Sequence, residues 1–263
     1  MTNENNNNSL IAEPENDEEF RKRYGEHIGS GMTAVIYARD GIAAKVFREG
    51  QRKTEVFKEA FILSLVGELG MPAPNVYTVE TFCGRTAVLM DHIRGVSIAD
   101  IIQKNPEKTD YYLDIAVDLQ IAMHNLSSSE FRPMRMMLNG MITGSPGLIT
   151  EEKERFCTML SELPDGLSIC HGDFHPGNIL LDGESYKIID WAEVTCGCPA
   201  GDACRSYMDY SMTHKEMGEM YLGKYCAASG RTREEILAWL PVVAGAVYGY
   251  LSEEGKRIAR QFF

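Results

Sequence analysis

The sequence predicts an α+β fold in two parts: a small N-terminal antiparallel β-sheet lobe with one helix over residues 19–91, and a larger, mainly α-helical lobe over residues 92–263. Three observations predict it. Short β-rich runs separated by Gly- and Asp-containing turns crowd before residue 91, and helix-period apolar patterns dominate after residue 110. An apolar hairpin, Ile179-Leu180-Leu181 and Tyr186-Lys187-Ile188-Ile189 around Asp182-Gly183-Glu184-Ser185, stands inside the helical part. With 263 residues and 44% hydrophobic content, the core needs no disulfide or metal staples.

Residues 1–18, Asn-rich and then acidic, cannot bury enough surface to offset ordering entropy and are expected to form a disordered tail. They lack the basic start and apolar stretch of a targeting signal. The net charge of −12 disfavours nucleic acid and anionic membranes as partners and suits a cationic ligand. Seven cysteines, an odd number without a secretory signal, point to free thiols in a reducing cytoplasm. Cys196, Cys198 and Cys204 lack a fourth ligand at zinc spacing, so buried thiols are expected there. The longest apolar run, Leu237 to Leu251, is too short to span a bilayer and reads as a buried C-terminal helix. A monomer is expected.

In the first lobe, Gly29-Ser30-Gly31 precedes the β-rich run through Tyr37, a strand-turn-strand whose amides can approach phosphates. After the turn at Arg39-Asp40-Gly41 comes the apolar strand Ile42 to Phe47, with Lys45 embedded in it. A lysine there costs desolvation unless it meets an anion, either a phosphate or a carboxylate of the following helix, Thr54 to Leu69. Glu59, at the edge of that helix's apolar face, is the preferred partner, and Glu55 one turn earlier stays open. Met71-Pro72-Ala73-Pro74 ends the helix. Two further strands, Asn75 to Glu80 and Thr86 to Met90, turn at Cys83-Gly84-Arg85. Asp91-His92-Ile93-Arg94-Gly95 then reads as a hinge, where the main chain of Asp91 and Ile93 is placed to hydrogen-bond an adenine.

In the second lobe, Tyr111 to Leu126 and Glu151 to Leu163 have helical period. Between them, Ser127 to Thr150 reads as a loop-rich insertion carrying Met134, Met136, Met137 and Met141, which serve packing or line a pocket. Helices are expected over Lys215 to Ala228, Thr232 to Leu240 and Val242 to Phe263.

The chemistry concentrates in His171-Gly172-Asp173-Phe174-His175-Pro176-Gly177-Asn178, followed twelve positions after the asparagine by Asp190. The hairpin folds Asp190 back beside Asn178. This is the spacing of a phosphotransfer centre: Asp173 accepts the proton of an attacking hydroxyl, and Asn178 and Asp190 offer hard oxygen ligands for Mg²⁺ bridging the phosphates of ATP. His171 is expected to orient the loop by hydrogen bonds, since Asp173 already fills the proton-transfer role. His175 reads equally as a substrate-side group or a surface residue.

Together these residues resemble the aminoglycoside phosphotransferase and choline kinase superfamily, the small-molecule branch of the protein-kinase-like fold. The resemblance covers nearly everything after the tail and includes Ile189-Asp190-Trp191 and Pro199-Ala200-Gly201-Asp202. It implies that Asp173 is the catalytic base, that Asn178 and Asp190 hold Mg²⁺, that Lys45 holds phosphates and that Asp202 braces the catalytic loop. A helix N-cap is the other reading of Asp202. Trp191-Ala192 replaces the Phe-Gly of protein kinases, and only eleven residues separate Asp190 from Asp202, which disfavours a protein substrate.

The resemblance implies a kinase that uses ATP and Mg²⁺ on a small-molecule hydroxyl acceptor, such as an aminoglycoside-like or other cationic molecule. It places acceptor recognition in the C-terminal helices, where Glu216, Glu219, Glu234, Glu235, Glu253 and Glu254 are available acids and the Phe263 carboxylate is a further candidate. Two other classes compete: a nucleotide-binding regulatory module without turnover, and an atypical protein kinase. The complete set of Lys45, Asp173, Asn178 and Asp190 argues against the first.

Overall fold

The computed structural model describes residues 17–263. The α+β class holds, and the chain divides into two compact units, the first ending at Arg94 and the second running Gly95–Phe263. Asp91-His92-Ile93-Arg94 therefore belongs to the first unit, where the sequence reading had 92–94 open the second. Asp91 is the last residue of a strand, and the His92 amide donates to the Gly41 carbonyl at 2.9 Å. Of the expected tail, residues 1–16 lie outside the described residues. Asp17 and Glu18 begin a helix, α1 (Asp17–Tyr24), because Asp17 accepts a hydrogen bond from the Tyr37 hydroxyl at 2.6 Å and pairs with Arg21 one turn on.

Five strands follow in the first unit: β1 (Glu26–Ser30), β2 (Ala34–Arg39), β3 (Ile42–Phe47), β4 (Val76–Phe82) and β5 (Arg85–Asp91). They form one antiparallel sheet in the order β1-β2-β3-β5-β4, and helix α2 (Lys53–Glu68) connects β3 to β4. The β2–β3 and β4–β5 turns place Asp40-Gly41 and Cys83-Gly84 at positive φ, the pattern of tight hairpin turns. Successive side chains alternate between faces, so Val35, Tyr37, Ala44, Val46 and Ala87 pack with Phe20 and Tyr24 of α1. On the other face Ala34, Phe47 and Val88 pack with Val56 and Ala60 of α2. Lys45, two residues before Phe47 and opposite Ile36 and Val88, shares the α2 face.

The second unit contains β6 (Val96–Ser97), α3 (Ile98–Lys104), α4 (Thr109–His124), α5 (Met134–Gly144), α6 (Thr150–Glu162), β7 (Ser168–Cys170), β8 (Ile179–Asp182) and β9 (Ser185–Ile188). Then come β10 (Thr195–Gly197), α7 (Pro199–Thr213), α8 (Lys215–Ser229), α9 (Arg233–Leu237), α10 (Leu240–Val247) and α11 (Glu253–Ala259). The β8–β9 hairpin forms with Asp182 opposite Ser185, and β6 joins it as a third strand.

Three expectations are corrected here. The Met-rich insertion is not loop-rich, since α5 runs through it. Met134, Met137, Leu138 and Ile142 recur at helical spacing and are buried, and Gly140 faces open space, so neither packing nor backbone geometry breaks the helix. The apolar stretch near the C-terminus is not one helix. Pro241 sits in the first turn of α10, where its missing N–H costs nothing, and the chain tightens at Tyr248–Tyr250 before Ser252 caps α11. Asp202 is not an N-cap, because α7 starts at Pro199 after Cys198 and Asp202 lies inside its first turn.

A single large core joins α4 to α8 and α10, with Trp239, Tyr210, Tyr221, Tyr225 and Phe156 at its centre. All seven cysteines are free, and Cys196, Cys198 and Cys204 are buried. Among the described residues no helix is long and apolar enough to cross a membrane.

Candidate active site

In the first unit the structure brings Lys45 and Glu59 into an ion pair, both side chains largely buried. Glu55 faces solvent, one turn away on α2. The alternation of β3 put Lys45 on the α2 face, so the lysine meets a carboxylate instead of apolar side chains. Gly29, Ser30 and Gly31 lie at the β1–β2 turn, where the His27 imidazole contacts the Gly29 carbonyl at 3.0 Å and the Ser30 hydroxyl at 2.9 Å. Neither glycine has positive φ. A Cβ would meet only ordinary contacts, 3.9 Å to Ile36 at Gly29 and 3.7 Å to the Ala34 carbonyl at Gly31. Nothing inside the unit demands glycine at either position, as expected of a loop kept bare for a ligand to approach its backbone. The Asp91 carboxylate accepts from Asn75, whose amides approach at 2.9 and 2.7 Å, and from Tyr77. The Asp91 amide donates to the Asn75 carbonyl, so this residue's polar groups largely close the β4–β5 end. Ile93 lies just beyond it, outside any strand.

In the second unit the loop after β7 carries the remaining predicted residues. Gly172 has φ +84°, and a Cβ there would lie 2.6 Å from the Glu193 carbonyl, so both conformation and space require glycine. His171 is fully buried between Phe174 and Trp191. Its Nε2 donates to the Ile189 carbonyl at 3.1 Å, and its Nδ1 accepts from the Asp173 amide at 3.3 Å. Burial holds this imidazole below its ordinary pKa, consistent with a neutral ring that accepts at Nδ1. The Ile189 amide in turn donates to the Asn178 carbonyl at 2.9 Å. The residue before Asp190 is thus clamped through both main-chain groups. Asp190 itself is exposed and left-handed, at φ 62° and ψ 56°, a conformation that is costly for a non-glycine residue and clusters at functional sites.

Asp173 is partly exposed. Its Oδ1 accepts from Arg205 Nη2 at 2.9 Å, and its Oδ2 lies 3.6 Å from His175 Nε2. His175 Nδ1 accepts from the Gly177 amide at 3.0 Å, which leaves the proton on the nitrogen facing Asp173. Burial pushes the Asp173 carboxyl up, but the His175 hydrogen bond and the Arg205 charge outweigh it and hold the group at about 2. Asn178 Nδ2 donates to the Asp173 carbonyl at 2.9 Å and approaches Oδ2 at 3.4 Å.

Asp202 is fully buried. Its Oδ1 accepts from the Gly172 amide at 2.7 Å, and its Oδ2 accepts from Gln120 Nε2 and His124 Nε2, both at 3.0 Å. Burial raises the Asp202 carboxyl, yet the His124 bond and the remaining donors lower it overall.

Sequence reading missed several groups here. Arg205 bonds Asp173 and also pairs with Asp209, one turn along α7. Burial raises the Asp209 carboxyl and Arg205 opposes the rise. Glu193, three residues after Asp190, is likewise raised, first by burial and then by Asp173, Asp190 and Asp209 against the pull of Arg205. The spacing Asp202, Arg205, Asp209 on one helix face was the available signal. Of the six C-terminal acids available to an acceptor, most of which were expected on solvated faces, four are engaged locally: Glu219 pairs with Arg233, Glu235 caps α9, and Glu253 and Glu254 pair with Lys256 and Arg257. The Phe263 ring packs on Phe156 and Tyr248. Three methionines of α5, Met134, Met137 and Met141, line a cavity of about 20 Å³ with Glu193 and Arg205, and Gly172 forms part of its wall.

Among the described residues no three His, Cys, Asp or Glu side chains form a metal cluster. Asn178 and Asp190 instead offer one amide oxygen and one exposed carboxylate, a sparse hard-oxygen set that fits Mg²⁺ drawing its other ligands from water and phosphates.

Comparison with known proteins agrees with this architecture. The model of the phosphotransferase enzyme family matches residues 26–239. No curated protein matches the chain. Among solved structures, an aminoglycoside-3′-phosphotransferase of type VIII is similar at 20% identity and TM-score 0.63, covering 87% of this chain and 97% of its own. The choline kinase LicA from Streptococcus pneumoniae is similar at 13% identity and TM-score 0.68, with 93% and 96% covered. An aminoglycoside phosphotransferase from Streptomyces rimosus, in complex with ADP and streptomycin, is similar at 16% identity and TM-score 0.62, with 86% and 95% covered. With most of its length matched by the family model and both units accounted for by the fold, the chain belongs to the phosphotransferase enzyme family.

Proposed function

We propose that the protein transfers the γ-phosphate of ATP, with Mg²⁺, to a hydroxyl of a small cationic molecule, as an aminoglycoside- or amino-alcohol-like acceptor would offer. The observation that carries this reading is Asp173: an ionised, partly exposed carboxylate held by Arg205, beside Asn178 and one clamped residue away from Asp190.

Asp173 receives the acceptor hydroxyl as a hydrogen-bond donor and aligns its oxygen. Because the carboxylate is held at about 2, it is a weak base. It suits a loose phosphoryl transfer, in which the proton moves late and positioning supplies most of the acceleration. Asn178 and Asp190 would hold Mg²⁺, and Lys45, kept in place by Glu59, would hold nucleotide phosphates. When bound, Mg²⁺ neutralises charge on the phosphate oxygens. The bare Gly29-Ser30-Gly31 backbone would let phosphates approach the β1–β2 turn, with the Gly31 amide itself kept by the Ala34 carbonyl at 2.8 Å, and the main chain of Asp91 and Ile93 would meet the base. The cationic character of the acceptor is supported by the chain's net charge of −12. We further infer a monomer in a reducing cytoplasm, which the seven free cysteines support.

Labelled ATP offered with Mg²⁺ and a mixed panel of amino alcohols, aminoglycosides and proteins tests the reading. Label is expected on a small molecule. Label on protein would make it an atypical protein kinase, and nucleotide binding without any transfer would make it a regulatory module.

A further inference from the structure

We propose that Arg48 is a positioning residue for nucleotide binding: it fastens the Gly31-Met32-Thr33 turn by two carbonyls and so presents the Met32 and Thr33 amides to phosphates. The inference rests on the reading of the β1–β2 turn as the place where phosphates approach, and it concerns a residue outside every motif of the sequence.

Arg48 follows β3 directly and holds both limbs of the turn. Its amide donates to the Thr33 carbonyl at 2.8 Å, which extends the β2–β3 pairing one step beyond Ala34 and Phe47. Its side chain reaches the other limb, where Nε and Nη2 both donate to the Gly31 carbonyl, at 3.3 and 3.1 Å. One residue thereby fixes the Gly31–Met32 and Thr33–Ala34 peptide groups. The bond from the Gly31 amide to the Ala34 carbonyl, at 2.8 Å, closes the base of the turn.

A trans peptide is planar, and its C=O and N–H point in opposite directions. Holding the Gly31 carbonyl toward Arg48 therefore turns the Met32 amide away from it. The next peptide, which carries the Thr33 amide, is bracketed between two fixed ones. Among the described residues neither amide has a partner, and all three residues of the turn are exposed, Met32 at 84%. Successive free amides in a turn can form a concavity that takes an anion. Little packing steadies this one, since a Cβ at Gly31 would meet nothing closer than 3.7 Å. Left unfastened, the turn would have to be ordered each time a ligand bound, and affinity would fall accordingly. Arg48 orders it beforehand.

The test uses the full chain. Calorimetry of Arg48→Met is expected to show Kd for ADP and ATP raised about 5- to 10-fold, with adenosine affinity within about twofold and the melting temperature unchanged. Arg48→Gln is neutral, but its amide nitrogen stands where Arg48 Nε stands along the side chain, so a donor for the Gly31 carbonyl remains. It should bind ADP and ATP within about threefold of the wild type. Arg48→Gln as weak as Arg48→Met would show that Arg48 acts by charge and overturns the inference, as does wild-type affinity in Arg48→Met. Nitrogen relaxation of the Met32 amide in the nucleotide-free protein reads the turn without any ligand. Its order parameter should be about 0.85 in the wild type and below about 0.6 in Arg48→Met. Equal order in the two proteins overturns the inference as well. A wild-type chain that binds neither ADP nor ATP, yet whose Met32 amide loosens in Arg48→Met, would sink the phosphate reading of the turn while leaving the clamp intact.

Discussion

Arg205 Nη2 stands 2.9 Å from Asp173 Oδ1, and the same guanidinium pairs with Asp209 one turn further along α7. One largely buried cation therefore holds two carboxylates, both of them partly exposed. Helix α7 thus holds the Asp173 carboxylate from one side, and Asn178 holds the main chain of the same residue from the other.

If Asp173 receives the acceptor proton, Asp173→Asn keeps the shape and removes the acceptor oxygen's charge. Its kcat should fall about 10²- to 10⁴-fold with Mg-ATP still bound. Steady-state turnover together with calorimetry checks this, and near-wild-type turnover would remove Asp173 from the role.

Arg205→Met removes the cation that faces Asp173 and Asp209. Because both partners keep some solvent exposure, the cost should fall below the roughly 3–5 kcal/mol of breaking a fully buried pair, seen as a lower denaturant midpoint. Combining it with Asp209→Leu should restore most of the stability but not the turnover, because Asp173 stays unaimed. Recovery of both would show that Arg205 serves folding alone.

Asp190→Ala removes a proposed direct metal ligand. Mg-ATP affinity should drop by at least the roughly 10- to 100-fold seen when a metal's outer-shell partner is lost. Binding of ATP with the metal chelated should respond little to the substitution. Equal Mg-ATP affinity in calorimetry contradicts the assignment.

Gly31→Val separates a ligand-facing glycine from a structural one. Its Cβ meets nothing closer than 3.7 Å and its φ is not positive, so the melting temperature should stay near that of the wild type. Nucleotide affinity should fall about tenfold or more, because a branched side chain obstructs the approach of phosphates to the turn.

Asp202 predicts an acid limb of stability. Its carboxyl is lowered in the fold, so its contribution is fully present above the unfolded value and is lost as pH falls through the folded value. Urea unfolding of the wild type should weaken steeply below about pH 4. Asp202→Asn should start lower at pH 7 and lose less on acidification, and parallel profiles would place the acid sensitivity elsewhere.

The loop from His171 to Asn178, Asp190 after its hairpin, and the embedded Lys45 were readable because each is declared locally: an unusual polar residue at fixed spacing in an apolar strand or turn. Glu59 was readable because helix and strand period place it on the face turned to the sheet. Gln120 and His124 left a fainter mark, two polar residues four apart on the buried face of α4. Glu193, Arg205 and Asp209 left almost none, since charges on helices and loops face solvent by default.

Local pattern, then, was enough for the α+β class and for the kinds of oxygen and nitrogen that meet at the loop, because turn chemistry and periodicity act over a few residues. Which charge answers which was decided by packing. Arg205 reaches Asp173 across 32 residues and His124 reaches Asp202 across 78, and no short-range rule selects those partners. Nor did the local pattern show that Met134, Met137 and Met141 of α5 would stand beside Gly172 and Arg205. Burial selects such partners by removing water as the competing one, and which groups lose their water is known only when distant helices close on each other.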